Sequence, residues 1–184
     1  MTRLEVRLHG LGGQGIISAG RLIGEAASLR EHKEVTMTED YSPYIMGGWS
    51  RADLVISTEP IDYPLVTRPN ILVAFSQDGF DDNWKQTAPD ATIIVENGMV
   101  NTRPVDSRKL FAVPALAVAE ELGKRVVANI VMLGYFAEKT RAVGLDPLLT
   151  AILTRYAKAA DLNRRAFGRG VELASPVEAH ELTH

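Results

Sequence analysis

The chain has 184 residues, a length typical of a single domain. Hydrophobic residues make up 46% and charged residues 23%, which excludes a disordered, collagen-like or coiled-coil protein. Twenty basic and 23 acidic residues give a net charge of −3, so the basic character of a nucleic-acid-binding module is missing. No apolar run approaches the roughly 18–20 residues that span a bilayer, and the N-terminus lacks the apolar core of a signal peptide. We therefore expect a cytoplasmic protein that binds neither nucleic acid nor a membrane.

The sequence contains no cysteine. This excludes a disulfide, a thiolate nucleophile, a cysteine-ligated zinc ion and a cysteine-ligated iron–sulfur cluster in this chain. If the protein takes part in electron transfer, the clusters must be held by other chains. We also expect no other metal site in this chain.

Short apolar or alternating segments predict six β-strands, most of them in the first half of the chain. They lie at residues 3–9, 34–38, 51–57, 70–75, 91–95 and 109–113, the last as an edge strand. Between the second and third, residues 39–50 hold a proline, paired glycines and three aromatic side chains. This composition predicts a shaped loop.

Apolar residues at helical spacing predict helices mainly in the second half of the chain. The predicted helices cover residues 16–30, 78–85, 114–122, 129–141, 146–160 and 161–170. The sequence therefore predicts an α/β fold with a Rossmann-like, mostly parallel sheet, helices on both faces and a helical C-terminal region. We expect one domain over residues 1–171 and a C-terminal tail over residues 172–184.

Gly10, Gly12 and Gly15 form a G-x-G-x-x-G pattern between the first predicted strand and the first predicted helix. In this context the free N–H groups and the helix dipole favour a phosphate. A dinucleotide site also needs an acid near the end of the second strand, and Glu39 or Asp40 has roughly that spacing. The same glycines also suit a tight turn and close packing without a ligand, so the pattern alone leaves both interpretations open.

Further motifs follow the glycine pattern in a regular order between residues 4 and 171. In chain order they are Gly10, Gly12, Gly13, Gln14 and Gly15; Tyr41, Gly47, Gly48 and Ser50; Pro60 and Ile61; Pro114, Ala119, Leu122 and Gly123; Asn129, Leu133 and Gly134; and Asn163, Ala166, Phe167 and Gly170. With these motifs the chain resembles the gamma subunit, or gamma domain, of the 2-oxoacid:acceptor oxidoreductases. These thiamine-diphosphate enzymes oxidise pyruvate, 2-oxoglutarate, 2-ketoisovalerate or indolepyruvate, and a phenylglyoxylate dehydrogenase is related to them.

One loop departs from the family pattern. Met46 stands where many relatives carry an arginine, and Arg51 is the nearest substitute. Tyr41, Tyr44 and Trp49 make the loop more apolar and aromatic. Such residues are common in interface cores, which favours a subunit contact over an adaptation to a bulky or aromatic 2-oxoacid.

The resemblance implies a gamma subunit that supports a multi-subunit oxidoreductase and is not catalytic by itself. It implies alpha and beta subunits with thiamine diphosphate and Mg²⁺, an iron–sulfur subunit with 4Fe–4S clusters, and FAD in some complexes. Coenzyme A is the expected second substrate, with ferredoxin or NAD as electron acceptor. The expected cofactor-binding residues are Gly10, Gly12, Gly13, Gln14, Gly15, Tyr41, Gly47, Gly48 and Arg51, with no catalytic residue. Purely structural glycines remain an alternative, as does a stand-alone Rossmann-type NAD(P)-binding oxidoreductase.

Overall fold

The computed structural model describes residues 3–42, 48–102 and 108–175. Within these residues a sheet of six strands has the order β2-β3-β1-β4-β5-β6. The strands are β1 (Arg3–Leu11), β2 (Glu34–Tyr41), β3 (Trp49–Ser57), β4 (Ile71–Ala74), β5 (Thr92–Glu96) and β6 (Lys109–Val113). β3 runs antiparallel to β1 and β2, and the remaining neighbours are parallel. The prediction of a mostly parallel sheet with an edge strand at residues 109–113 is confirmed.

The antiparallel strand β3 differs from the expectation for residues 39–50. β2 continues to Tyr41 and β3 begins at Trp49, so both ends of the predicted loop are strand. Tyr41 lies opposite Ser50, and the Ser42 N–H donates to the Trp49 carbonyl oxygen at 2.9 Å. The prediction of a loop was therefore wrong at both ends, because strand pairing satisfies backbone groups that a loop would leave to solvent. Tyr44 and Met46 of the predicted loop lie outside the described residues.

The helices are α1 (Ile16–Glu25), α2 (Gln77–Asp81), α3 (Ala115–Glu121), α4 (Ala128–Thr140), α5 (Leu145–Arg155) and α6 (Ala160–Ala174). A π-helical turn at Ala26–Arg30 extends α1, and a 3₁₀ turn at Ala157–Ala159 separates α5 from α6. The predicted helical C-terminal region is confirmed. α6 continues past residue 171, and the division of the chain at that residue stays a prediction. Within the described ranges, no helix has the length and apolar character needed to cross a membrane.

The helices lie on both faces of the sheet but unequally. Leu4, Val6 and Leu8 of β1 point to one face, where they join a core formed with α1, α3, α4, α5 and α6. The other face carries a smaller core around Leu72 and Phe80, covered by α2 and the short turn after it. Successive side chains of a strand point to opposite faces of the sheet. A central strand such as β4 therefore contributes Val73 to the larger core and Leu72 to the smaller one.

Helix α4 is the centre of the larger core, and α6 crosses it closely. Most of α4 is buried within this one chain. A Cβ on Gly134 would overlap the carbonyl oxygen of Phe167 in α6, and a Cβ on Gly170 would overlap the carbonyl oxygen of Val131 in α4. These two glycines let the helix backbones touch, which explains physically why the motifs contain them.

Candidate functional site

The glycine loop (residues 10–15) lies at the carboxyl end of β1. Gly10 and Leu11 still belong to the strand, and the Gly12 N–H donates to the Gly48 carbonyl oxygen at 2.7 Å. Gly10 has no room for a side chain, because a Cβ there would lie 2.9 Å from the Cβ of Phe75. The structure thus brings the glycine loop together with Gly48, which directly precedes β3.

Gln14 holds the glycine loop to the rest of the sheet. Its Oε1 accepts a hydrogen bond from the Leu11 N–H at 2.6 Å, and its Nε2 donates to the Phe75 carbonyl oxygen at 3.1 Å. Phe75 directly follows β4, so the amide of Gln14 connects the ends of two neighbouring strands. Both kinds of polar atom in this side chain are therefore engaged within the chain, which indicates a positioning role.

The start of α1 has the properties of an anion-binding site. Gly13 and Gly15 have φ angles of 87° and 77°, which favour glycine. A Cβ on Gly13 would meet no atom within 4 Å, so this part of the loop is open, whereas Gly15 packs against the amide of Asn129. No side chain caps α1, and no acidic residue lies in its first turn. The amide groups and the positive end of the helix dipole are thus left for a ligand or solvent.

Two cavities meet at this loop and share Gly13, Gln14, Val126 and Asn129. The smaller, of about 300 Å³, reaches Glu96 at the end of β5. The larger, of about 500 Å³, runs toward α5 and α6. The remaining lining residues of the smaller cavity are Phe75, Met99, Leu116, Arg125 and Ala128, and those of the larger are Gly15, Ser18, Lys124, Val127, Ile130, Tyr156, Ala159, Leu162 and Asn163. Together they form a groove across the glycine loop.

Glu96 and Asn129 are buried polar residues of this groove that the sequence did not single out as ligand-binding. The Oε1 atom of Glu96 accepts a hydrogen bond from the Leu116 N–H at 3.0 Å. Its Oε2 atom and the Oδ1 atom of Asn129 are buried and have no hydrogen-bond partner among the described residues. A signal for Glu96 was available, because it ends the apolar run of a parallel strand, where α/β proteins place ligand contacts.

Tyr41 and Arg51, two of the expected binding residues, are not brought into this groove. Tyr41 ends β2 and is 59% exposed. Arg51 lies opposite His9, on the sheet face away from α1, and its Nη2 donates to Asp40 at 2.9 Å. Gly47 lies outside the described residues. A binding role for these three residues stays a prediction.

The acid expected for a dinucleotide site is not placed beside the glycine loop. Strand β3 stands between β2 and β1, so the end of β2 is not the neighbour of the glycine loop. Both candidate carboxylates already have cationic partners, because Glu39 accepts from Arg21 at 2.6 Å and Asp40 from Arg51. The expectation that Glu39 or Asp40 completes such a site was therefore wrong. Sheet order, which decides this, depends on strand pairing rather than on residue spacing.

Comparison with known proteins decides between a subunit of a 2-oxoacid oxidoreductase and a stand-alone NAD(P)-binding enzyme. The family described as pyruvate ferredoxin/flavodoxin oxidoreductase matches residues 5–173. The chain belongs to this family. The 2-oxoglutarate synthase subunit KorC of Methanocaldococcus jannaschii is 39% identical over 176 residues, which cover 94% of each chain. The corresponding subunit of Methanothermobacter marburgensis is also 39% identical, over 93% of this chain and 96% of its own.

A solved structure of the same oxidoreductase family supports the assignment. The gamma subunit of a keto/oxoacid ferredoxin oxidoreductase from Geobacter sulfurreducens superposes with a TM-score of 0.86 at 32% sequence identity. The match covers 95% of this chain and 97% of that one. The chain is therefore the gamma-type subunit of a multi-subunit 2-oxoacid oxidoreductase, as the motifs predicted. This assignment takes the place of the stand-alone NAD(P)-binding enzyme.

Proposed function

We propose that this gamma subunit forms the coenzyme A-binding wall of a complex that oxidises 2-oxoglutarate. The observation that carries the proposal is the open glycine loop at the uncapped start of α1, which faces a groove large enough for an extended ligand. The choice of 2-oxoglutarate rests on four relatives named 2-oxoglutarate synthase subunits, which are 30–39% identical. Two pyruvate synthase subunits are 28% identical.

The chemistry of the groove suits the diphosphate of coenzyme A. Gly13 leaves its backbone open to the groove, and the first turn of α1 adds N–H groups and no opposing carboxylate. Lys124 lines the larger cavity and supplies a positive charge. Backbone N–H groups at a helix start together with a lysine are a common phosphate-binding arrangement. The gamma subunit would thereby hold and orient coenzyme A, while the reaction itself takes place on other chains.

The remaining cofactors are assigned to the partner subunits. The described residues contain no group of three or more His, Asp and Glu side chains arranged to hold a metal ion, and the sequence has no cysteine. Without cysteine, the chain lacks the thiolate ligands that hold an iron–sulfur cluster. We assign thiamine diphosphate and Mg²⁺ to alpha and beta subunits, and the 4Fe–4S clusters, with any FAD, to other chains of the complex. A cytoplasmic location is part of the same proposal.

Hydrogen exchange of the purified complex tests the binding role. Coenzyme A at saturation is expected to slow exchange in peptides that cover residues 12–18 and 124–130. Peptides over residues 59–67, which line a separate cavity at the amino end of β1, serve as the control and are expected not to change. Unchanged exchange at the glycine loop would refute the coenzyme A role. It would leave the family assignment intact.

A substrate panel tests the 2-oxoacid. The complex is supplied with coenzyme A, ferredoxin and one 2-oxoacid at a time: 2-oxoglutarate, pyruvate, 2-ketoisovalerate, indolepyruvate or phenylglyoxylate. The highest kcat/KM is expected with 2-oxoglutarate. A higher value with an aromatic acid would favour the alternative suggested by the aromatic loop.

A further inference from the structure

Glu96 is the most unusual charged residue of the groove. It ends β5, is 2% exposed, and is the only carboxylate among the described residues that line the smaller cavity. One oxygen is held by the first turn of α3 through the Leu116 N–H, and the other has no partner. A buried carboxylate oxygen without a hydrogen bond is costly, because burial removes it from water without replacement. Such an atom indicates that a donor group arrives from elsewhere.

The remaining lining of the smaller cavity is mainly apolar. Phe75, Met99, Leu116 and Val126 surround it, and Met99 and Val126 are exposed at 39% and 75%. Besides this apolar rim, the cavity offers two buried acceptor oxygens, Oε2 of Glu96 and Oδ1 of Asn129, and these suit a flat ring that carries an N–H donor. The cavity is less suited to a second phosphate of the ligand, because the Glu96 carboxylate would repel it and the one cation among the described lining residues, Arg125, is already paired with Glu120 at 2.7 Å. The groove therefore has an anion-binding part at α1 and a donor-selecting part at Glu96.

We propose that Glu96 is a specificity-determining residue that accepts a hydrogen bond from the exocyclic amino group of the adenine of coenzyme A. The proposal rests on the proposed function, since it assumes that the diphosphate lies at the glycine loop. The adenine ring then occupies the smaller cavity between Met99 and Val126. Its amino group satisfies the free carboxylate oxygen, and Leu116 holds the other oxygen in place. Glu96 thus contacts the adenine end of coenzyme A and takes no part in the chemical step.

The test compares two ligands and three forms of the complex. The ligands are coenzyme A and 1,N⁶-ethenocoenzyme A, in which a two-carbon bridge removes both N–H groups of the amine. The forms are the wild type, Glu96→Gln and the control Glu121→Gln, whose carboxylate is exposed and bonds Arg169 outside the cavity. Affinities are measured by calorimetry, and hydrogen exchange at residues 12–18 reports where the ligand binds. Thermal unfolding verifies that each variant is folded.

The wild type and the control are expected to bind coenzyme A at least about tenfold more tightly than the etheno derivative. In Glu96→Gln the carboxamide oxygen stays on the Leu116 N–H, which turns an NH₂ donor toward the ring. The affinity of this variant for coenzyme A is then expected to fall about tenfold, while its affinity for the etheno derivative is unchanged. The preference for coenzyme A therefore disappears. A preference that survives in Glu96→Gln would mean that the bridge is rejected by its size, and would overturn the proposal.

The outcomes separate this inference from the proposed function. Equal wild-type affinity for both ligands, with protection of residues 12–18, would overturn the role of Glu96 and support the coenzyme A site. This comparison needs no variant and therefore holds even if Glu96→Gln does not fold. Loss of protection at residues 12–18 with both ligands would refute the site and the inference together.

Discussion

Arg7 and Asp53 form a bidentate ion pair between the neighbouring strands β1 and β3. Nε of Arg7 donates to Oδ1 of Asp53 at 2.8 Å, and Nη2 donates to Oδ2 at 2.7 Å. Both side chains are more than nine-tenths buried. Nη1 also donates to Oδ1 of Asn83 at 3.2 Å, so the pair anchors the segment after α2 to this face of the sheet.

Removing the negative charge of this pair is expected to destabilise the fold strongly. Asp53→Asn leaves the guanidinium of Arg7 buried beside a neutral partner, which costs about 3 kcal/mol for pairs of this kind. Urea denaturation measures the change in the free energy of unfolding. The control is Asp161→Asn, which removes an exposed ion pair with Arg165 on α6 and should have little effect. Similar losses in the two variants would contradict the special role of the buried pair.

The close crossing of α4 and α6 predicts opposite effects for two glycine substitutions. Gly134→Ala places a Cβ against the Phe167 backbone, and overpacking of this kind costs about 1–3 kcal/mol or more. Gly168→Ala lies on α6 with no atom within 4 Å of the new Cβ. It should stabilise the protein by about 0.5–1 kcal/mol through its helix propensity. Thermal unfolding of both variants verifies the sign, and a neutral Gly134→Ala would show that the helices can move apart.

His9 predicts a loss of stability in weakly acidic solution. Burial lowers the pKa of His9 below its ordinary value, and the nearby cations Arg51 and Arg7 lower it further against the opposing carboxylates Asp82 and Asp53. The unfolded chain therefore takes up a proton on His9 at a higher pH than the folded chain does. Stability is fully present above about pH 6.5 and is lost as the pH falls toward the folded pKa.

The variant His9→Phe isolates this effect. It keeps a ring against Trp49, whose centroid lies 5.5 Å from that of His9, and removes the titration. Free energies of unfolding measured between pH 8 and pH 5 should fall less steeply in the variant than in the wild type. Parallel curves would show that His9 protonates equally in both states.

Glu5 predicts a second loss at lower pH. Burial alone would raise the pKa of Glu5, but hydrogen bonds from the Arg68 N–H, the Arg3 guanidinium and the Thr67 N–H outweigh it and lower the pKa. The Thr67 and Arg68 N–H groups donate to Oε2 at 2.7 and 2.8 Å. Because the folded pKa is the lower one, this stability is present above about pH 4.3 and is lost as the pH falls through the folded pKa. Glu5→Gln should flatten the stability curve in that range alone, with His9→Phe as the reference for the higher range.

The strands could be predicted from sequence because each one is a short apolar or alternating run. The direction of β3 could not, since residues 51–57 alternate in the same way whether the strand runs up or down the sheet. This one strand also decides the position of Glu39 and Asp40, which spacing alone placed near the glycine loop. Pairing partners lie far apart in the sequence, so their choice depends on the whole fold.

The candidate site was predictable only where its residues are contiguous. Residues 10–15 carry their own pattern, and the structure places them at a strand end as expected. Glu96 and Asn129 join them from distant positions through the order of the strands and the packing of α4. Their buried, unpaired oxygens become visible only when every neighbour is known. The sequence alone does not show which hydrogen-bond donors lie near these oxygens.

The hydrogen bond between Gly12 and Gly48 closes a ring of chain that contains α1 and β2. The entropy of closing a ring grows only slowly with its length, by about 0.6 kcal/mol for each doubling. Residues added or removed between Ser42 and Gly48 would thus change the ring little, provided that the bond at its base is kept. Relatives could lengthen, shorten or recompose the segment between Ser42 and Gly48 while the glycine loop stays the same. The fold therefore separates a segment that can diverge, between Ser42 and Gly48, from the glycine loop, which cannot.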